Sequence, residues 1–149
     1  MCNQHLHKAR KAKDDEYYTL CPDVAAEIWR HRHQLRGKRI LCPFSDYRYS
    51  QVVIFLVEFF HILGLAHLTA TCIDNGEGAW RFDYDGKTAT VSKLTQGGSF
   101  DTPEVTKIMH NCDVVIDNPP FSKFRAIIHW LKEAPDTNEN NMNNYKNSA

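Results

Sequence analysis

The 149-residue chain has no Cys-x-x-Cys pair, no long uninterrupted apolar run and no net charge, and each absence closes a class of protein. Its five cysteines (Cys2, Cys21, Cys42, Cys72, Cys112) are scattered and odd in number. That argues against a disulfide framework and against a structural zinc site, and no metal is expected. Cys42, Cys72 and Cys112 lie in or beside apolar strand-like runs, where a free thiol behaves as a small hydrophobe. The longest apolar stretch, Val52 to Leu65, is interrupted by Glu58 and His61 and is too short to cross a bilayer. The N-terminus is polar and basic, without the apolar segment of a signal peptide, which predicts a reducing, cytoplasmic setting. Eighteen basic and eighteen acidic residues cancel, so the field of the whole molecule does not draw it to nucleic acid. Local charge points that way: Lys8, Arg10, Lys11 and Lys13 form a basic arm, and Arg30, Arg32, Arg36, Lys38 and Arg39 a second cluster. A solvated face and tail is the other reading.

What is present is a set of alternating short elements. Residues 1–13 predict a disordered basic arm, 14–134 a single α/β domain, and 135–149 a disordered Asn-rich tail. Pro22 opens a helix in which Val24, Ile28 and Leu35 share a face, with Gly37 as its stop. Arg39–Cys42 reads as a short buried strand. A second helix is expected from about Tyr49 to Leu63, apolar nearly all round and capped by Gly64. His67–Ile73 reads as a second strand. Asp85-Gly86 predicts a two-residue hairpin turn, with Trp80, Phe82 and Tyr84 opposed by Ala89 and Val91. Thr102 and Pro103 open a short helix to His110. Val114-Val115-Ile116 is apolar on consecutive residues and predicts a strand buried on both faces. A last helix follows, with Ser122 as its cap and Phe124, Ile127, Ile128 and Leu131 on one stripe. Strands alternating with helices imply a doubly wound sheet, whose ligands bind beyond the carboxyl ends of the strands. Asp46, Asp74 and Asn118 fall in the three loops expected at that edge.

The most informative segment is Asp117-Asn118-Pro119-Pro120-Phe121-Ser122. Two successive prolines fix two φ angles near −65° and remove two donors, and the first keeps Asn118 out of the helical region. The result is a stiff corner. The Asn118 amide oxygen and the Pro119 carbonyl are then available to face an amino group, with Phe121 as a flat apolar surface beside them. A plain strand-to-helix turn is the alternative.

These residues resemble the S-adenosylmethionine-dependent amino-methyltransferases of DNA, and most closely the EcoRI-type adenine-specific branch. Asp15-Glu16-Tyr17-Tyr18-Thr19 is similar to the family's N-terminal cofactor motif, and Asp117–Phe121 to its catalytic motif. The likeness covers roughly residues 13–133. It implies a partial Rossmann-like doubly wound sheet with an inserted β-hairpin. It also implies methyl transfer from S-adenosylmethionine to the exocyclic amino group of a flipped adenine, in a restriction-modification setting. The implied catalytic residues are Asp117, Asn118, Pro119, Pro120 and Phe121. The implied cofactor residues are Tyr18, Thr19, Asp46, Asp74 and Phe100. Four of these five have another reading: Asp74 as a turn-former, Asp46 as a helix cap, Tyr18 and Phe100 as packing. Pro43-Phe44-Ser45-Asp46 stands where the family has a Gly-rich loop. Members continue past the catalytic motif with further strands and a target-recognition region, whereas one helix follows it here. The expected partner is therefore DNA, with self-association or a second chain completing the sheet. The rival expectations are an inactive remnant or partner-completed module, and transfer to RNA or to protein glutamine. His31-x-His33 reads as a solvated face, and Trp80, Phe82 and Tyr84 as hairpin packing.

Overall fold

The structure, a computed structural model, describes residues 22–133. The basic arm, the Asp15–Thr19 segment, Cys2, Cys21 and the Asn-rich tail lie outside the described residues. The elements in chain order are α1 (Pro22–Arg30), α2 (Arg32–Leu35), β1 (Arg39–Cys42), α3 (Gln51–Glu58), α4 (Phe60–Leu63) and β2 (His67–Thr71). They continue with β3 (Trp80–Tyr84), β4 (Ala89–Lys93), α5 (Pro103–His110), β5 (Val114–Val115), a single 3-10 turn (Phe121–Lys123) and α6 (Phe124–Lys132).

The five strands form one mixed sheet in the order β4-β3-β2-β1-β5. β1 runs parallel to β2 and to β5, with Ile40 beside both Leu68 and Val114. β3 and β4 form an antiparallel hairpin added to the other side of β2. Alternation along the strands divides the core into two layers. Ile40, Cys42, Leu68, Ala70 and Phe82 pack with Ile28, Leu35, Val53, Leu56 and Phe60 of α1–α4. Leu41, the intervening residue of β1, packs instead with Val105, Ile108, Met109, Ile127 and Trp130 of α5 and α6. Helices thus cover both faces, and the α/β class follows from the sequence as expected. No helix among the described residues is long and apolar enough to cross a membrane.

Local signals act as their chemistry requires. Thr102 accepts from the Val105 amide at 3.3 Å with Pro103 behind it, and Gly64 closes α4 at φ 68°. Cys42, Cys72 and Cys112 are buried free thiols.

Several boundaries differ from the sequence reading. The first two helical stretches each break once, at His31 and at Phe59 (φ −98°, ψ 12°), so Tyr49–Leu63 is not one helix. The hairpin loop is four residues, Asp85 to Thr88, because the Asp85 carboxylate accepts from the amides of both Lys87 and Thr88 and stabilises a wider turn. Ser122 does not cap the last helix: it lies inside the 3-10 turn, and Lys123 occupies the cap position without a side-chain bond. β5 is half-buried rather than buried on both faces, because it is the last strand of the described sheet and only β1 flanks it. Phe124 is 54% exposed although the apolar spacing put it inward; Ile127 and Trp130 form the buried side of α6 instead.

Candidate functional site

The site is built from the loops at the carboxyl ends of β1, β2 and β5. The parallel pairing of β1 and β5 continues one step further, as the Ile116 amide donates to the Leu41 carbonyl at 3.0 Å. The chain then turns at Asp117, whose carboxylate reaches back across the sheet end. Its Oδ2 accepts from the Phe44 amide at 2.6 Å, and its Oδ1 accepts from the Ser45 hydroxyl at 2.7 Å and the Asn118 amide at 2.9 Å. Ser45 in turn accepts from the Ser50 hydroxyl at 2.9 Å and donates its amide to the Thr71 carbonyl of β2 at 3.1 Å. Ser50 also caps α3 by accepting from the Val53 amide. One hydrogen-bonded chain therefore ties together the ends of three strands and the start of a helix, and the corner bearing Asn118 hangs from it. Enclosure of the Asp117 carboxylate lifts its pKa to about 6, the loss of water outweighing the three donors that favour the charged form.

From that anchor the corner runs as Asn118, Pro119 and Pro120, the last buried with φ −64° and ψ 133°. The Pro120 carbonyl accepts from the Lys123 amide at 3.0 Å and starts the 3-10 turn. Asn118 and Pro119 are half-buried, and Phe121 stands 78% exposed directly beyond them. The segment read from the sequence as stiff is thus held at both ends, by Asp117 before it and by the turn after it.

Asp46, Asp74 and Phe100, expected at the cofactor, lie around the same edge. Asp46 is buried, and its carboxylate is gripped by the Arg48 guanidinium through contacts of 2.9 and 2.6 Å. Arg48 also reaches Glu77 at 3.1 Å, bridging the loops after β1 and β2. The pairing with Asp46 holds the guanidinium charged well above its ordinary range. Asp74 is exposed, and its Oδ1 accepts from the amides of Gly76 and Gly78, which lowers its pKa. Its amide donates to the Gly97 carbonyl at 3.0 Å, bringing the Gly97–Asp101 loop alongside. Phe100, in that loop, is buried between Phe44 (centroids 5.5 Å apart) and Trp130 (5.3 Å, edge-on). Tyr18 and Thr19 lie outside the described residues. No group of three or more His, Cys, Asp or Glu among the described residues is placed to hold a metal ion. His31 pairs with Glu27 on an exposed helix face.

Sequence reasoning missed Phe44, Ser45, Arg48 and Ser50. Ser50 had a local signal, a serine just before an apolar run. Ser45 had none, because its partner Asp117 is 72 residues away.

Comparison with known proteins follows the same residues. The family described as adenine-specific methyltransferase EcoRI matches residues 5–93 and 75–136, which together take in both halves of the loop network. The chain belongs to the EcoRI adenine-specific methyltransferase family. Among relatives of this EcoRI family, the Type II methyltransferase M.MpnI of Mycoplasma pneumoniae is 35% identical over 129 residues, 87% of this chain and 40% of its own. M.MgeORF184P of Mycoplasma genitalium is 32% identical over 127 residues, 85% of this chain and 40% of its own. M.EcoRI of Escherichia coli is 32% identical over 147 residues, 87% of this chain and 45% of its own. The chain thus spans less than half the length of these EcoRI-family relatives. No solved structure matches it.

Proposed function

We propose that this chain carries the catalytic corner and donor site of an S-adenosylmethionine-dependent DNA adenine amino-methyltransferase of the cytoplasm. The observation that carries the reading is the Asn118-Pro119-Pro120-Phe121 corner, suspended from Asp117 beside the loops that follow β1 and β2. Ligands of parallel sheets bind at this edge, and the trio β2-β1-β5 is read here as the centre of a Rossmann-like methyltransferase sheet.

The chemistry needs little from the protein beyond position. An exocyclic amino nitrogen is a weak nucleophile because its lone pair is delocalised into the ring. The Asn118 side-chain oxygen and the Pro119 carbonyl accept its two hydrogens, favour the tetrahedral nitrogen and stabilise the positive charge that develops there. Phe121 stacks on the extruded base and offsets part of the cost of unpairing it. The bound sulfonium donor supplies the electrophilic methyl. The exposed Asp74, whose Oδ2 meets no donor among the described residues, suits ribose hydroxyls. Asp46, fixed by Arg48, and Phe100, packed under Phe44, shape the remainder of the donor site, with Tyr18 and Thr19 assigned to its amino-acid end.

Isothermal titration of the folded chain with S-adenosylhomocysteine is expected to give saturable heat; none would sink the donor-site reading. Radiolabelled methyl transfer assayed on DNA, RNA and protein separates adenine from the other amino acceptors, and transfer confined to RNA or to protein glutamine would replace the DNA reading. Asn118→Ala and Phe121→Ala are each expected to abolish transfer.

A second reading rests on β5. A strand that is apolar on consecutive residues yet flanked only by β1 among the described residues suits a module completed by another chain.

A further inference from the structure

The turn after the catalytic corner exposes more than the ring assigned to base stacking. Phe121 through Ala126 are six consecutive exposed residues. Within them aromatic and cationic side chains alternate: Phe121, Lys123, Phe124, Arg125. Phe124 is 54% exposed although its spacing matches the apolar stripe of α6. Lys123 and Arg125 meet no carboxylate among the described residues.

The backing of this segment is rigid. Ile127 and Trp130 are each 4% exposed, and the Trp130 indole donates to the Thr106 hydroxyl at 2.9 Å. The Trp130 ring also stands edge-on to Phe100. Phe124 is therefore presented outward from a fixed helix.

A ring between two cations that meet no carboxylate among the described residues matches a nucleic acid strand with a base out of its stack. The ring offers a face to an unstacked neighbour, and the cations lie within reach of successive phosphates. We propose that Lys123, Phe124 and Arg125 form a strand-contact site for DNA, with Phe124 stacking on a nucleotide flanking the extruded base and the two cations holding its phosphates. This rests on the adenine-methyltransferase reading and adds to it a second aromatic contact, distinct from Phe121.

The test is fluorescence anisotropy at several salt concentrations, on a labelled duplex with one unpaired adenine, on the fully paired duplex and on RNA of the same sequence. Phe124→Ala is expected to weaken binding to the unpaired-adenine duplex by about 5- to 100-fold, and the fully paired duplex far less. Lys123→Ala/Arg125→Ala is expected to reduce the slope of log K against log salt by about 1.4 to 1.8, two phosphates' worth. Lys87→Ala, a cation on the remote hairpin loop, is the control and should leave both values unchanged. Variants that bind like the parent would overturn this proposal alone. So would tighter binding to the RNA than to either duplex. Loss of a dimer in light scattering on Phe124→Ala, with DNA affinity intact, would reassign the patch to contacts between copies. A parent chain that binds none of the probes would remove the DNA reading together with this site.

Discussion

Asp117 shows how one side chain acquires a role that its position in a motif does not announce. Its carboxylate holds the Phe44 amide, the Ser45 hydroxyl and the Asn118 amide, and so fixes where the Asn-Pro-Pro corner sits. Burial raises its folded pKa to about 6, above the ordinary carboxyl value of about 3.9 in an unfolded chain. A raised carboxyl pKa means that the folded state binds the proton more tightly. The stability this group contributes is therefore full below the unfolded value and is lost as pH rises through 6. Urea unfolding at pH 4, 5 and 7 should show the stability gap between the parent and Asp117→Asn changing in that direction, and a gap independent of pH would refute it. Ser45→Ala removes one of the three donors and leaves the carboxylate and Ser50 under-satisfied, with an expected loss of about 1–3 kcal/mol by the same method. Burial also raises the pKa of the Cys42, Cys72 and Cys112 thiols, that of Cys112 to about 11. Peptide mapping after a brief iodoacetamide pulse should find these three unlabelled in native protein and labelled in urea.

Among the elements, short-range chemistry acted where the sequence displayed it. The Thr102-Pro103 start, the Gly64 stop and the pairing of Phe82 with Val91 are all local or hairpin-local, and all occur as read. What the periodicity did not carry was the orientation of α6. The stripe of Phe124, Ile127, Ile128 and Leu131 put Phe124 in the core and left Trp130 out, whereas the contacts of Trp130 with Phe100 and Thr106 bury Trp130 instead. Ser50→Ala should cost about 1 kcal/mol through the lost cap on α3. Gly98 presents a harsher constraint. It has φ 76°, and a Cβ there would overlap the Cys72 carbonyl oxygen at the end of β2. Gly98→Ala should therefore destabilise by well over about 1 kcal/mol, measured as a drop in the urea midpoint, since neither the backbone conformation nor the space admits a side chain. A midpoint equal to the parent's would mean that the Gly-rich loop does not pack against β2.

At the scale of the whole molecule, the sheet order decides what the chain can do by itself. β5 lies at one end of the described sheet, half-buried, and leads into the Asn118–Pro120 corner. A strand edge with apolar residues favours pairing with another chain. With no net charge, repulsion between copies offers little opposition. Multi-angle light scattering should show mass rising with concentration; a constant monomer mass up to high concentration would count against an open edge. If the edge is closed by added sequence, the corner itself should stay as it is, because Asp117 holds it from the β1 side.

The sequence by itself determined the short elements, the α/β class and the stiffness of the Asn118–Pro120 corner. Those follow from local rules: φ locked by proline, caps a few residues from what they cap, and alternation along a strand. The tertiary structure alone decided that Asp117 anchors to Phe44 and Ser45, that Phe124 faces outward and that β5 has one neighbour among the described strands. Each of these depends on groups brought together across long stretches of chain. Burial, competition for the core and strand order select such contacts only when the whole sheet has assembled.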